Sequence, residues 1–313
     1  MDFVTLGRTG LRVSVLGLGA GGHSRLGQST GRSADESVAL VRRSLDLGVN
    51  FIDTAESYRT EEIVGRAVRD VARNEVVIST KKSIDRKGVV VSPADLVAGL
   101  EASLRRLGTD HVDVYHLHGV LPEQYEQARQ TLVPEMLRQR EAGKIRFLGI
   151  TERFVPDPGH RTLRRAVEDD CWDVYMVGLN VLNQSARPRV LGRAIEKDIG
   201  ILVMFTVRNA LSHPERLVEV VGELIDSGRL DPASVDRGDP LGWLLRDGIA
   251  ASLPEAAYRF CRAEPGVHIV LSGTGSVEHL EQNVASIHRP ALPPTARDRL
   301  VGLFDGIDNV SAQ

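Results

Sequence analysis

Eight short apolar runs, each followed by a stretch with a helix-start signal or helical periodicity, restrict this chain to very few folds. The runs are Val15–Gly19, Asn50–Asp53, Val76–Lys81, Val112–His118, Phe147–Thr151, Val174–Asn180, Ile201–Phe205 and His268–Ser272. Between them the helical signals recur. Ser33 with Glu36 three residues on forms a capping box that opens a helix running to about Gly48. Ile63, Ala67 and Val71 share one face of Glu61–Ala72, and Leu96, Leu100, Leu104 and Leu107 form a stripe behind Ser92-Pro93. Further helices are expected over Pro122–Ala142, Arg161–Glu168, Ala186–Lys197 and Val277–Ile287, with Gly143 ending the first of these. Strands joined by helical crossovers must run parallel, and eight such units can close into a (β/α)8 TIM barrel. A chain of 313 residues suits one such domain, read here as residues 1–313. Phe3–Thr5 and Leu11–Val13 flank the turn-forming Gly7–Gly10, which predicts an N-terminal β-hairpin. Ile225–Leu253, rich in Gly, Asp and Pro, reads as a long loop before the eighth strand and as a lid over the site.

Composition excludes several classes of function. The net charge of −3 and the scatter of Arg and Lys give no electrostatic case for nucleic acid or an anionic membrane. Cys171 and Cys261 are isolated, so neither a disulfide framework nor a metal knuckle is expected. Met1–Gly10 lacks an apolar signal region, and no run approaches the roughly 20 residues of a membrane span. A cytoplasmic protein, monomer or homodimer, is the expectation.

The chemistry concentrates at four polar residues at or just past the ends of apolar runs: Asp53, Tyr58, Lys81 and His118. Val77, Ser79 and Lys81 share one face of their strand. If that face points into the barrel, Lys81 is a cation near the core, held charged by Asp53. Lys81 would then stabilise the Tyr58 phenolate and lower that pKa from about 10, making the phenol a general acid near neutrality. His118 suits hydrogen bonding to a substrate carbonyl, with His116 packed behind it. A zinc site begun by His116 and His118 lacks ligands on later strands, which end in Thr151, Asn180, Phe205 and Ser272, so no metal is expected. A Schiff-base role for Lys81 in a lyase or aldolase is a further alternative. Gly17-Leu18-Gly19-Ala20-Gly21-Gly22 fits G-x-G-x-x-G, but the helix waits until about Ser33, so a Rossmann fingerprint is rejected. These glycines, Gly21 among them, instead let a loop pass close to a bound cofactor, and His23 is a candidate for facing the substrate.

Asp53-Thr54-Ala55 with Tyr58, then Thr80-Lys81, then Asp113-Val114-Tyr115 with Leu117-His118, resembles the aldo-keto reductase superfamily. Leu6–Leu11 with Leu16–Gly19, Gly143–Ile150 and Gly273–Asn283 are similar to further segments of that family, in order along nearly the whole chain. The resemblance implies reduction of an aldehyde or ketone, or the reverse, with NADPH or NADH as cofactor. Tyr58 would protonate the carbonyl oxygen, Lys81 and Asp53 would tune it, and His118 would orient the carbonyl. Cofactor contacts are implied at Thr151, Glu152, Phe205, Thr206, Gly273, Thr274, Gly275, Ser276, His279, Gln282 and Asn283. The chain departs from the pattern in places. Thr151-Glu152 stands where Ser-Asn usually holds the nicotinamide carboxamide, and Met176 and Leu179 replace the usual Gln and aromatic residue. Gly275 and His279 stand where NADPH-preferring members place Lys or Arg. NADPH is the first expectation and NADH the rival. A nucleotide-binding sensor or regulatory barrel with little turnover is the alternative function.

Overall fold

The computed structural model describes residues 1–313. Strands β1 (Phe3–Thr5) and β2 (Arg12–Ser14) form the expected antiparallel hairpin. The barrel strands are β3 (Leu16–Gly19), β4 (Phe51–Asp53), β5 (Val77–Ser83), β8 (Val112–Val120), β9 (Ile145–Glu152), β10 (Val174–Gly178), β11 (Gly200–Met204) and β12 (Ile269–Ser272). They close in the order β10-β11-β12-β3-β4-β5-β8-β9, every pair parallel. This is the (β/α)8 barrel that the alternation predicts.

The helices between them follow their sequence signals. Helix α1 (Ala34–Asp46) starts from a complete Ser33–Glu36 capping box, and α3 (Pro93–Leu107) from a second box between Ser92 and Asp95. Each box satisfies backbone N–H groups that the first helical turn leaves free. Helix α2 (Glu61–Val68) stops four residues short of the expected Ala72. Helices α4 (Tyr125–Glu141), α5 (Arg161–Ala166) and α11 (Val277–His288) lie close to their predicted spans. The segment after β10 opens with a wide π-type turn, Arg187–Leu191, before α6 (Gly192–Glu196).

Two features differ from the sequence reading. A small rim hairpin, β6 (Asp85–Arg86) with β7 (Val89–Val90), follows β5. The segment between β11 and β12 is also more helical than expected, with α7 (Asn209–Ser212), α8 (Pro214–Asp226), α9 (Trp243–Arg246) and α10 (Leu253–Arg262). The lid reading of Ile225–Leu253 needs correction. Leu241 and Leu244 are buried in the main core, and the Trp243 ring lies 4.1 Å below the guanidinium of Arg299 on α12 (Pro294–Leu303). Burial of these apolar side chains fastens the segment to the outer helical layer, because exposing them to water is unfavourable.

The barrel interior is layered. Phe51, Val77, Val114, Val174, Leu202 and Ile269 pack together, and Leu6, Leu11 and Val13 of the hairpin segment close that end. Strand alternation then places Asp53, Ser79, Lys81, His116 and His118 above this floor on β4, β5 and β8. Met176, Met204 and Leu271 occupy the corresponding level on β10, β11 and β12. The upper barrel is therefore polar on one side and apolar on the other.

Candidate active site

Burying an ammonium requires a partner, and the register of β4 against β5 provides one. The Lys81 Nζ donates to Asp53 Oδ2 at 2.6 Å and to the Thr54 carbonyl at 2.7 Å, with Lys81 fully buried. The other carboxylate oxygen of Asp53 accepts from the Ser79 hydroxyl at 2.8 Å. His116 Nε2 lies 3.1 Å from that same hydroxyl oxygen and donates to it, since the Ser79 proton is already engaged. The His116 ring fills the space over Gly149, where a Cβ would come within 2.2 Å of it. Two of the three Lys81 donors are thus used, and Nζ lies 4.9 Å from the centroid of the Tyr58 ring. The Tyr58 hydroxyl lies 3.4 Å from His118 Nε2, with the two rings edge to face. The four residues singled out in the sequence come together at one mouth of the barrel. Lys82, on the opposite face of β5, reaches away to Glu56.

Burial lowers the basicity of Lys81, but the Asp53 carboxylate and the Tyr58 hydroxyl more than offset it, so the amine is held charged above its ordinary range. A permanently protonated, fully buried amine is unsuited to Schiff-base chemistry, which needs a free lone pair. The expected lowering of the Tyr58 pKa is not found. Burial of the phenol raises it, and the opposing charge of Lys81 only partly compensates. The hydroxyl therefore stays protonated at neutral pH and is a proton donor, not a phenolate. Burial and the nearby Lys81 and Arg153 charges pull His118 down to about 3, so its imidazole is neutral.

That depression has a consequence for stability. The folded pKa of His118 lies below the unfolded value of about 6.5, so the unfolded chain takes up the proton first. The contribution of His118 is complete above about pH 6.5 and falls as pH drops toward 3. We expect urea unfolding at pH 7 and pH 5 to show a smaller acid loss in His118→Gln than in the parent, by up to about 2 kcal/mol. Equal losses in the two proteins would show that His118 does not control this limb.

Comparison with known proteins decides the family. The aldo/keto reductase family model matches residues 16–301. The chain belongs to the aldo/keto reductase family. It is 35% identical to L-galactose dehydrogenase of Arabidopsis thaliana and 32% identical to an aldo-keto reductase of Bacillus subtilis, in each case over 48% of this chain. It spans about half the length of these relatives, 48% and 47%. It is 28% identical to a rice protein (Oryza sativa subsp. japonica) named a probable voltage-gated potassium channel subunit beta, over 96% of this chain and 95% of that protein. The holo form of an aldo-keto reductase from Bacillus halodurans has the same fold, with a TM-score of 0.73 at 22% identity over 97% of this chain and 96% of that one.

The residues that the family resemblance marked for cofactor contact are disposed unevenly in this aldo/keto reductase. Gly273 lies beside Gly19, and Gly275 approaches Gly27 so closely that a Cβ on it would stand 2.6 Å from the Gly27 Cα. Thr274 braces this turn by accepting from the Ser276 N–H, and Ser276 caps α11 by accepting from the His279 N–H. His279 is exposed on the first turn of α11. Gln282 reaches Glu278 on its own helix, and Asn283 donates to the Ser272 hydroxyl at 2.9 Å. Thr151 accepts from the Gly119 N–H, and Thr206 is buried.

Glu152 does not face an open cleft. Its carboxylate is fully buried, bonded to His160 Nδ1 at 2.9 Å and to the Gly178 N–H at 2.8 Å. The expected negative charge beside a carboxamide is thereby directed into the wall between β9 and β10. His160 stacks on Phe154, and Phe154 meets Phe205 edge to face. Sequence reading missed His160, which carries no local motif. It also missed Arg208, three residues beyond Phe205, whose guanidinium lies 4.1 Å from the Phe205 ring centroid.

Gly21 holds the phenol in place. A Cβ there would come within 2.3 Å of the Tyr58 ring, far inside van der Waals contact. Gly21→Ala should displace the phenol and lower kcat by at least about tenfold, since small misplacements of a reacting group are costly. Steady-state turnover checks this; an unchanged kcat would mean that the loop yields instead of the ring.

Proposed function

We propose that this protein is an NAD(P)H-dependent carbonyl reductase that interconverts an aldehyde or ketone and its alcohol, with Tyr58 as the proton donor. The observation that carries this reading is the pairing of a protonated phenol with a neutral imidazole 3.4 Å away, above a buried ammonium–carboxylate pair. A carbonyl oxygen about 3 Å from both groups accepts two hydrogen bonds, one from the Tyr58 O–H and one from His118 in its Nε2–H tautomer. As negative charge grows on that oxygen, the Tyr58 proton moves to it, and the Lys81 ammonium stabilises the phenolate left behind.

A nicotinamide cofactor, when bound, would supply the hydride for this reduction. The residues present fit such a group. The turn Gly273-Thr274-Gly275, two of whose three residues lack side chains, leads into the N-terminus of α11, whose positive dipole end suits a phosphate. Phe205 offers an aromatic face and Thr151 a hydroxyl. NADPH is proposed ahead of NADH. Thermal unfolding with each nucleotide tests this, because a ligand that binds only the native state raises the melting temperature. A rise with NADPH exceeding that with NADH supports the proposal; no rise with either removes the nucleotide from the reading.

The rice relative named as a potassium channel subunit favours a second reading, a nucleotide-binding regulatory barrel with little turnover. Tight nucleotide binding without Tyr58-dependent consumption of NADPH would select it.

A further inference from the structure

The β11–α7 loop carries a charge that nothing else in the molecule explains. Arg208 is half-buried, and its Nε is buried with no hydrogen-bond partner. No carboxylate forms a salt bridge with it and no side chain or carbonyl accepts from its guanidinium. The guanidinium rests on the face of Phe205 and reaches toward the rim loop after β3, where a Cβ on Gly22 would lie 3.7 Å from its Nη1. Most other partly buried arginines here are paired: Arg73 with Asp113, Arg187 and Arg297 with Glu264, Arg259 with Glu255. A guanidinium removed from water without a counter-ion is destabilising and draws an anion. Its planar fork matches a carboxylate bidentately.

Location narrows the choice of anion. The loop that Arg208 faces is the one that packs on the phenol: a Cβ on Gly21 would meet the Tyr58 ring at 2.3 Å and one on the adjacent Gly22 would lie 3.7 Å from Arg208 Nη1, so Arg208 stands on the same rim as Tyr58. The segment read above as holding the nucleotide phosphates, Gly273–Ser276 at the start of α11, lies on the next barrel loop, after β12. The strand ends beneath Arg208, Met176 on β10, Met204 on β11 and Leu271 on β12, are apolar and supply no second cation.

We propose that Arg208 receives a carboxylate carried by the substrate, so that the preferred substrates are oxo-acids: aldehydes or ketones bearing a carboxylate some atoms from the carbonyl. This rests on the carbonyl reductase reading above and names its substrate class. The carbonyl oxygen engages Tyr58 and His118 while the carboxylate engages the guanidinium, and the two contacts together fix the carbonyl face.

The test compares 4-carboxybenzaldehyde with benzaldehyde, using NADPH, in the parent protein, Arg208→Leu and Arg208→Lys. The parent should favour the carboxylated aldehyde in kcat/KM. Arg208→Leu should reduce the ratio of the two kcat/KM values by about 30- to 100-fold, and Arg208→Lys should restore part of it, as expected when a charge-assisted bidentate contact is lost. Binding gives an independent readout. Calorimetric titration with 4-carboxybenzyl alcohol should show an affinity for the parent that falls at least tenfold in Arg208→Leu, with no fall in melting temperature. An unchanged ratio overturns the proposal. So does an equal loss on both aldehydes with weakened NADPH binding, which would assign Arg208 to the nucleotide phosphates. Absence of turnover with either aldehyde in the parent would instead remove the reductase reading itself.

Discussion

Tyr58→Phe is expected to lower kcat for carbonyl reduction by about 10³, roughly 4 kcal/mol of barrier, while leaving nucleotide affinity within a fewfold of the parent. The substitution removes one oxygen. That oxygen lies 3.4 Å from His118 Nε2 and next to the Lys81 ammonium, which keeps its bonds to Asp53 and the Thr54 carbonyl without it. The ring, its packing against Gly21 and its position beside Lys81 all remain. Loss of rate without loss of fold therefore isolates proton donation. The same geometry fixes a pH signature. Because burial raises the Tyr58 pKa above 10, the donor stays protonated across the neutral range, and reduction should show no fall in kcat attributable to phenol ionisation below pH 9. Stopped-time consumption of NADPH by parent and variant, with a melting curve for each, checks both points. A Tyr58→Phe protein retaining more than a tenth of the parent kcat would exclude the phenol as the acid.

The candidate catalytic residues were legible in the sequence because strand geometry converts position into direction. An Asp, a Lys and a His each end an apolar run, and period-two alternation fixes which way each side chain points. The barrel then brings β4, β5 and β8 side by side, so residues 28 apart in sequence meet at 2.6 Å. The capping box at Ser33 was equally readable because Glu36 is only three residues away, whereas Ser92 was read only as a Ser-Pro helix start and its box with Asp95 emerges from the structure. What was hidden depends on balances between opposing effects or on contacts distant in the chain. The presence of Lys81 suggested a lowered Tyr58 pKa, but its sign turns on how much water burial removes, which no motif encodes. Glu152 looked like an intruder in a cofactor site until His160, eight residues later in a left-handed turn (φ 60°), was seen to hold it. Ile225–Leu253 looked like a lid because Gly, Asp and Pro are common in loops. The apolar residues within it, Leu241, Trp243 and Leu244, decide its place against α12.

Lys81→Met should be the most destabilising single change at the site, by about 3–5 kcal/mol at pH 7.5, because it leaves the Asp53 carboxylate buried beside an apolar side chain. Methionine matches the length of the lysine stem, so the loss reports charge more than volume. In the parent, the Lys81 pKa is raised by folding, so the lysine's own contribution is complete below about pH 10.5 and is lost as pH rises through the higher folded value, while burial raises the Asp53 carboxyl even with Lys81 beside it. The variant behaves oppositely. With its ammonium gone, Asp53 titrates above the unfolded carboxylate value near 4, and the penalty grows as pH rises from that value. Urea unfolding should therefore show a larger deficit at pH 7.5 than at pH 5. Adding Asp53→Asn should recover most of it, bringing the double variant within about 1–2 kcal/mol of the parent, since removing both charges leaves neither unpaired. That recovery should not extend to catalysis. The double variant keeps the fold and the Tyr58 hydroxyl but lacks the cation that stabilises the phenolate, so its kcat should remain depressed by at least about 10². A double variant that regained both stability and turnover would show that the buried pair holds the barrel together without acting on Tyr58.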